Sequence, residues 1–243
     1  MKGHPITFPD IKYTNDYLPL CDNTNGLSTS VKTMRAIVED EAHCGEIFEY
    51  GREFSSDDEI EADIINRINK YVSTPVSERD LFDLQMIFHR IEVWGGSAGR
   101  MLYLKETVDN WDNMWVKYPK LVDVCLSASP EPEKSIDAVF DAVKECNEIK
   151  YFGVAFITKH TRFWLVPRMG QDALPIFDSL MASNIMSMKY GASLSRLKEY
   201  WHAMIRKSKE EHVHLVPLER QLFKRFFAEN ESRKANSRKK QCV

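Results

Sequence analysis

Three observations predict an all-α protein. Apolar residues recur three or four positions apart through most of the chain. Glycines and prolines fall at the ends of those runs. No series of alternating apolar and polar residues is long enough for a sheet, and the nearest candidate strand, "HVHLV" at 212–216, is short. The 243 residues are 43% hydrophobic and 28% charged, which suffices for one large core. Nine or ten helices joined by short loops are expected.

Residues 1–30 are rich in Pro, Asn, Asp, Thr and Ser without a sustained period, and read as an irregular arm. From Ser30 a helix places Met34, Ile37, Val38 and Ala42 in phase and stops at Gly51. The next opens with "SSDD", a capping signature, and carries Ile60, Ile64, Ile65 and Ile68 until Pro75 ends it. A third begins at Ser77 with acids in its first turn and a stripe of Leu81, Leu84, Ile87, Phe88 and Ile91. After the "GGSAG" break at 95–99, a helix runs from Arg100 and ends before Pro119. "SPEPEKSIDAVFDAVKECNEI" starts at its prolines and aligns Ile136, Val139, Phe140 and Val143.

Residues 151–165 are apolar around most of the helical circumference and should form a buried helix entered through Gly153. "VPRMGQDALPIF" reads as a loop, and a helix from Asp178 is stopped by Gly191. Two further helices occupy "SLSRLKEYWHAMIRKSKEE" and "PLERQLFKRFFAENE". One helical domain over 31–231 is therefore expected, followed by a basic, disordered tail at 232–243.

Composition narrows the function. No apolar run approaches the roughly 20 residues of a membrane span. "MKGHPITFPD" lacks the apolar stretch of a signal peptide, so a cytoplasmic protein without a membrane partner is expected. The five cysteines are scattered without a Cys-x-x-Cys pair, as for reduced thiols rather than a disulfide or zinc framework. His212 and His214 alternate with no third ligand in view, so neither a metal nor another cofactor is expected.

The net charge of −3 conceals a division. Residues 151–243 hold 17 Lys and Arg against 8 Asp and Glu, a net of +9, whereas 1–150 carry −12. A polyanion met by the basic half explains this, and so does mutual attraction of the halves.

Two charges sit in apolar surroundings. Lys159 falls early in the 151–165 helix among Phe156, Ile157 and Phe163. The helix dipole and desolvation both lower an ammonium pKa there, which suits a nucleophile or base. The alternative is a lysine that snorkels to the surface over its apolar stem. Asp178 follows "LPIF" and reads as an N-cap, ionised and fixed, either for structure alone or to steady a nearby positive charge.

The pattern of glycine turn, lysine, apolar helix, proline loop and aspartate, with 19 residues from Lys159 to Asp178, resembles the helix-hairpin-helix DNA glycosylases of the 8-oxoguanine glycosylase type. Gly153, Val154, Thr158, Lys159, Pro175 and Asp178 carry the resemblance over about 35 residues. The family hairpin usually reads Gly-x-Gly directly before the lysine, whereas "GVAFITK" has a single glycine and a longer approach.

The resemblance implies a multi-helix glycosylase-like fold with the active site in a cleft between two helical subdomains. It implies excision of a modified base from double-stranded DNA by a monomer, with Lys159 and Asp178 catalytic and lyase activity as an option. The substrate would be an oxidised purine such as 8-oxoguanine. It would alternatively be a bulky phage-type cytosine such as glucosylated hydroxymethylcytosine, as in antiviral defence.

A flipped base needs aromatic walls and polar readers. Trp94, Phe163 and Trp164 (with Trp201) are the aromatic candidates, and Gln85, His89 and His160 the polar ones. The DNA backbone would meet Gly95, Gly96 and Arg100 in "WGGSAGR", then Gly153, Thr158, Arg162 and Arg168. The competing readings are a non-catalytic nucleic-acid-binding helical module and an all-α interaction protein.

Overall fold

A computed structural model describes residues 6–16, 18, 27–41, 48, 53–105 and 108–241. The described residues are all-α, with no strand. The ten helices are α1 (Thr29–Glu41), α2 (Asp57–Ser73), α3 (Leu81–Gly95), α4 (Met101–Leu104), α5 (Val108–Leu126), α6 (Pro132–Cys146), α7 (Val154–Met169), α8 (Ser179–Ile185), α9 (Leu194–Glu211) and α10 (Leu215–Gln241).

Helix α7 is the centre. It packs against α2, α3, α5 and α6, and eleven of its side chains are buried, as its all-round apolar sequence requires. Its core partners include Phe88, Leu121 and Val139, all fully buried. Helix α10 closes the assembly against α8 and α9.

The starts of α2, α3 and α8 are closed by side-chain caps. Ser56 Oγ accepts the Glu59 N–H, and Glu59 in turn accepts the Ser55 N–H at 2.7 Å. Pro132 occupies the first turn of α6, where its missing N–H costs nothing. The irregular arm is tied down at Thr14, whose N–H donates to Gln221 Oε1 at 3.0 Å.

Five boundaries differ from expectation. Helix α3 starts at Leu81, capped by Asp80, because Val76–Glu78 forms a separate 3₁₀ turn. The expected helix from Arg100 is divided into α4 and α5, and α5 runs through Pro119 rather than ending before it. Interior proline costs roughly 3 kcal/mol, and here burial of Met114, Tyr118, Leu121, Val122 and Cys125 around it offsets that cost. Helix α7 likewise passes Pro167 into the expected loop.

Helix α8 ends at Ile185, well before Gly191. Ser187 takes positive φ, and the N–H groups of Met186 and Met188 both donate to Ala182 O, closing the helix. Finally, α10 continues to Gln241 through the segment expected to be disordered. That stretch is rich in helix formers, and it follows a turn in which Glu229 pairs with Arg225 and Arg233 at i±4. The 212–216 segment is the α9–α10 turn, with His212 left-handed.

Cys125 and Cys146 are free and buried. Cys21, Cys44, Cys242, Ala42 and Gly51 lie outside the described residues.

Candidate active site

The α3–α4 break, α7, the loop before α8, and α10 enclose a cavity of about 340 Å³. Such a volume lies within the range of small-ligand sites. Lys159 and Asp178 both line it, together with Asp57, Trp94, Arg162 and Glu219. Val31, Ile176, Met181, Phe223 and Phe227 supply its apolar wall.

Lys159 lies in the second turn of α7, half-buried. Its Nζ donates to Gly95 O at 2.8 Å and rests 4.3 Å from the centre of the Phe156 ring. Burial pushes the ammonium pKa below the usual lysine range, against the opposing pull of Asp178, Glu92 and Glu219. Gly95 is what permits this approach. A Cβ there would stand 2.7 Å from Phe156 Cε1 and 3.4 Å from Lys159 Nζ. Gly96 takes φ +79°, and its N–H donates to Val93 O to end α3.

Asp178 is the N-cap of α8, its Oδ1 accepting the Met181 N–H at 2.9 Å. Burial raises its pKa, while the Met181 amide, Lys159 and the Leu180 amide pull it back. Three donors hold the approach to it. Phe177 N–H donates to Thr158 Oγ1 (3.0 Å), Tyr200 OH to Ile176 O (2.8 Å), and Trp201 Nε1 to Pro175 O (2.9 Å). Asp178 is therefore presented on fixed backbone, a precondition for electrostatic preorganisation.

Glu219, on the first turns of α10, was not singled out from the sequence. It looks there like any acid on an amphipathic helix. Its one signal is the spacing to Phe223 and Phe227, four and eight positions on, which puts all three on one face. Only 6% exposed, its carboxyl is pushed up to about 7 by burial, with Arg162, the Ile176 amide and Arg220 acting against that rise. Glu219 Oε2 has no hydrogen-bond partner and stands 3.9 Å from Arg162 Nε. The cavity wall thus holds three carboxyls against two cations. It suits a neutral polar ligand or a developing positive charge better than a phosphate.

The other expected site residues are distributed differently. Of the aromatic candidates, Trp94 lines the cavity, and Phe163 supports it edge-on with ring centres 4.9 Å apart. Trp164, His160 and His89 are buried in the core behind α7. Trp164 Nε1 donates to the Tyr118 hydroxyl oxygen (2.7 Å), which leaves the Tyr118 proton for His160 Nδ1 (2.7 Å) and the His160 Nε2 proton for Glu92 Oε1 (2.9 Å). His89 Nδ1 pairs with Tyr103 OH at 2.9 Å. Burial drives both imidazole pKa values down, His89 to about 3, and raises Glu92 to about 8. Gln85 is half-buried on α3 and does not line the cavity. Trp201 serves the loop, as described.

Among the backbone candidates, Gly153 is exposed as the N-cap of α7, and Arg100 and Arg168 are exposed. Thr158 is buried and ties α7 to the loop before Asp178. Arg162 lines the cavity but is paired with Glu61 at 3.1 Å, which also binds Arg220. Gly95 and Gly96 also line the cavity. Their roles seen here, a carbonyl for Lys159 and a helix terminus, are internal.

A wider groove of about 480 Å³ lies between the start of α6 and the α9–α10 turn. Its charges are already matched, Lys209 with Glu133 and His214 with Asp172. No group of three or more His, Cys, Asp or Glu side chains able to hold a metal ion occurs among the described residues, and no helix there is long and apolar enough to cross a membrane. Comparison with protein-family models, curated proteins and solved structures found no match.

Proposed function

We propose that the chain is a DNA N-glycosylase that takes a modified base into the 340 Å³ cavity and breaks its bond to the sugar. One observation carries this reading: Lys159 and Asp178, on different elements, line a single cavity. Cleavage of an N-glycosidic bond develops positive charge on the sugar. A fixed carboxylate stabilises that charge, and Asp178 is capped and clamped for the task. An amine with a lowered pKa attacks C1′ to give a Schiff base, and Lys159 has such an amine.

Trp94 and the α10 phenylalanines offer faces for an extruded base. The turn at 147–153 between α6 and α7 takes the place of the family's hairpin, and with Arg100 and Arg168 would meet the phosphates. On this reading the helix-hairpin-helix glycosylase fold, a cleft between two helical subdomains, a cytoplasmic location and a monomer bound to DNA follow as parts of one proposal. The substrate is an oxidised purine or a bulky modified cytosine.

Mass spectrometry of bases released from lesion-bearing and phage DNAs tests it. Release abolished by Asp178→Asn, with a borohydride-trapped adduct lost in Lys159→Ala, supports the reading. Binding without release from any of these DNAs sinks it in favour of a non-catalytic module.

A further inference from the structure

We propose that Glu219 is the acid that gives its proton to the departing base, while Asp178 stays ionised beside the sugar. This assignment rests on the glycosylase reading and adds a third catalytic group to it.

The division of labour follows from how each carboxyl is held. Burial raises the Asp178 pKa, whereas the Met181 and Leu180 N–H groups at the head of α8 favour its anion. Glu219 lines the same cavity but is supported less. It takes the Ile176 amide, its Oε2 lacks a hydrogen-bond partner, and Arg162 Nε is too distant at 3.9 Å for a hydrogen bond. Arg162 is moreover shared with Glu61 of α2. The remaining groups that face Glu219 are Lys159 from α7, Asp178 itself, Tyr200 from α9 and Arg220 beside it on α10. Three carboxyls in one cavity are hard to ionise together; Asp57 accepts the Ser28 N–H at 3.0 Å and Asp178 the Met181 N–H, and Glu219, the less supported, keeps its proton. The Glu219 value of about 7 agrees, close to where a general acid is most effective. Phe223 and Phe227 on the same face of α10 put that acid beside apolar surface fit for a base.

The step balances. The C1′–N bond breaks with its electron pair going to the base, and the Glu219 carboxyl O–H supplies the base with a proton. Lys159, its ammonium pKa lowered by burial, reacts through its deprotonated amine, which donates its lone pair to C1′. The resulting ammonium loses one proton to solvent, and the Glu219 carboxylate regains its own from solvent after the base departs. No external oxidant or reductant takes part.

Preformed abasic DNA separates this role from a structural one, because it has no base to protonate. Glu219→Gln is compared with wild type on duplexes carrying 8-oxoguanine or glucosylated hydroxymethylcytosine, and on an abasic duplex. The expected result is base release slowed by about 100-fold or more, with borohydride trapping on abasic DNA unchanged. The unchanged trapping also reports a folded variant. Equal loss on both DNAs, or no loss on either, overturns the assignment. Wild-type protein that traps abasic DNA but releases no base overturns the glycosylase reading, and the assignment with it.

Discussion

Lys159 and His160 are neighbours on α7, turned about 100° from one another around the helix, and they enter two opposite polar systems. His160 belongs to a buried chain, Trp164 to Tyr118 to His160 to Glu92, in which both ring nitrogens are bonded, the imidazole is neutral, and Glu92 Oε2 is left without a hydrogen-bond partner. Lys159 opens into a cavity whose carboxyls and cations are only partly matched. The first arrangement stabilises a unique core. The second keeps interactions in reserve for a ligand, as sites of chemistry do. Two adjacent polar residues in one apolar run thus enter different hydrogen-bond systems, although Lys159 still feels the charge of Glu92.

The comparison breaks most sharply if the wrong partner proves essential. Lys159→Ala should abolish covalent trapping, and Asp178→Asn should slow base release by about 10²–10³-fold, read by single-turnover kinetics. Gly95→Ala comes next. Its Cβ would collide with Phe156 and press on Lys159, and a shift of about 1 Å in a reacting group costs about 100-fold in rate. Tyr118→Phe acts on the buried chain. It leaves the Trp164 N–H and His160 Nδ1 unpaired and should cost about 1–3 kcal/mol in denaturant unfolding, with the rate per folded molecule unchanged. A rate loss without a stability loss would join the two systems.

Acidity sharpens the contrast more gently. Glu92 holds its proton to about 8 in the folded chain against 4.5 ordinarily, and Glu219 to about 7. The folded state then binds more protons than the unfolded one, so stability falls as pH rises through this window. His89 and His160 act oppositely, losing stability as pH falls below 6.5. The melting temperature should therefore decline from pH 6.5 to 8, and Glu92→Gln should flatten that decline. The smallest effect belongs to the surface. Arg100→Ala or Arg168→Ala should weaken DNA binding at all sequences alike and lower the salt slope by about one.

The helices were legible because their apolar stripes persist over several turns, and α7 was legible as buried because it has no polar face. Pro119 and Pro167 misled because a helix stop was read from backbone chemistry alone, without the packing that holds α5 and α7 straight through. Lys159 and Asp178 stood out as charges in apolar context. Glu219 did not, since an acid on α10 looks solvent-facing until α7 and the loop before α8 are placed against it. His89 and His160 suggest polar readers by their hydrogen-bonding capacity and Trp164 a wall by its ring, yet all three are buried in the core, where their polar groups bond Tyr103, Glu92 and Tyr118.

Tyr200 and Trp201, consecutive on α9, bond the carbonyls of Ile176 and Pro175, and Thr158 takes the next amide. The last residues before Asp178 are thereby insulated from the length of the chain that leads to them. The carboxylate is positioned by a clamp contributed by α7 and α9 rather than by the exposed turn at Gly170 and Gln171.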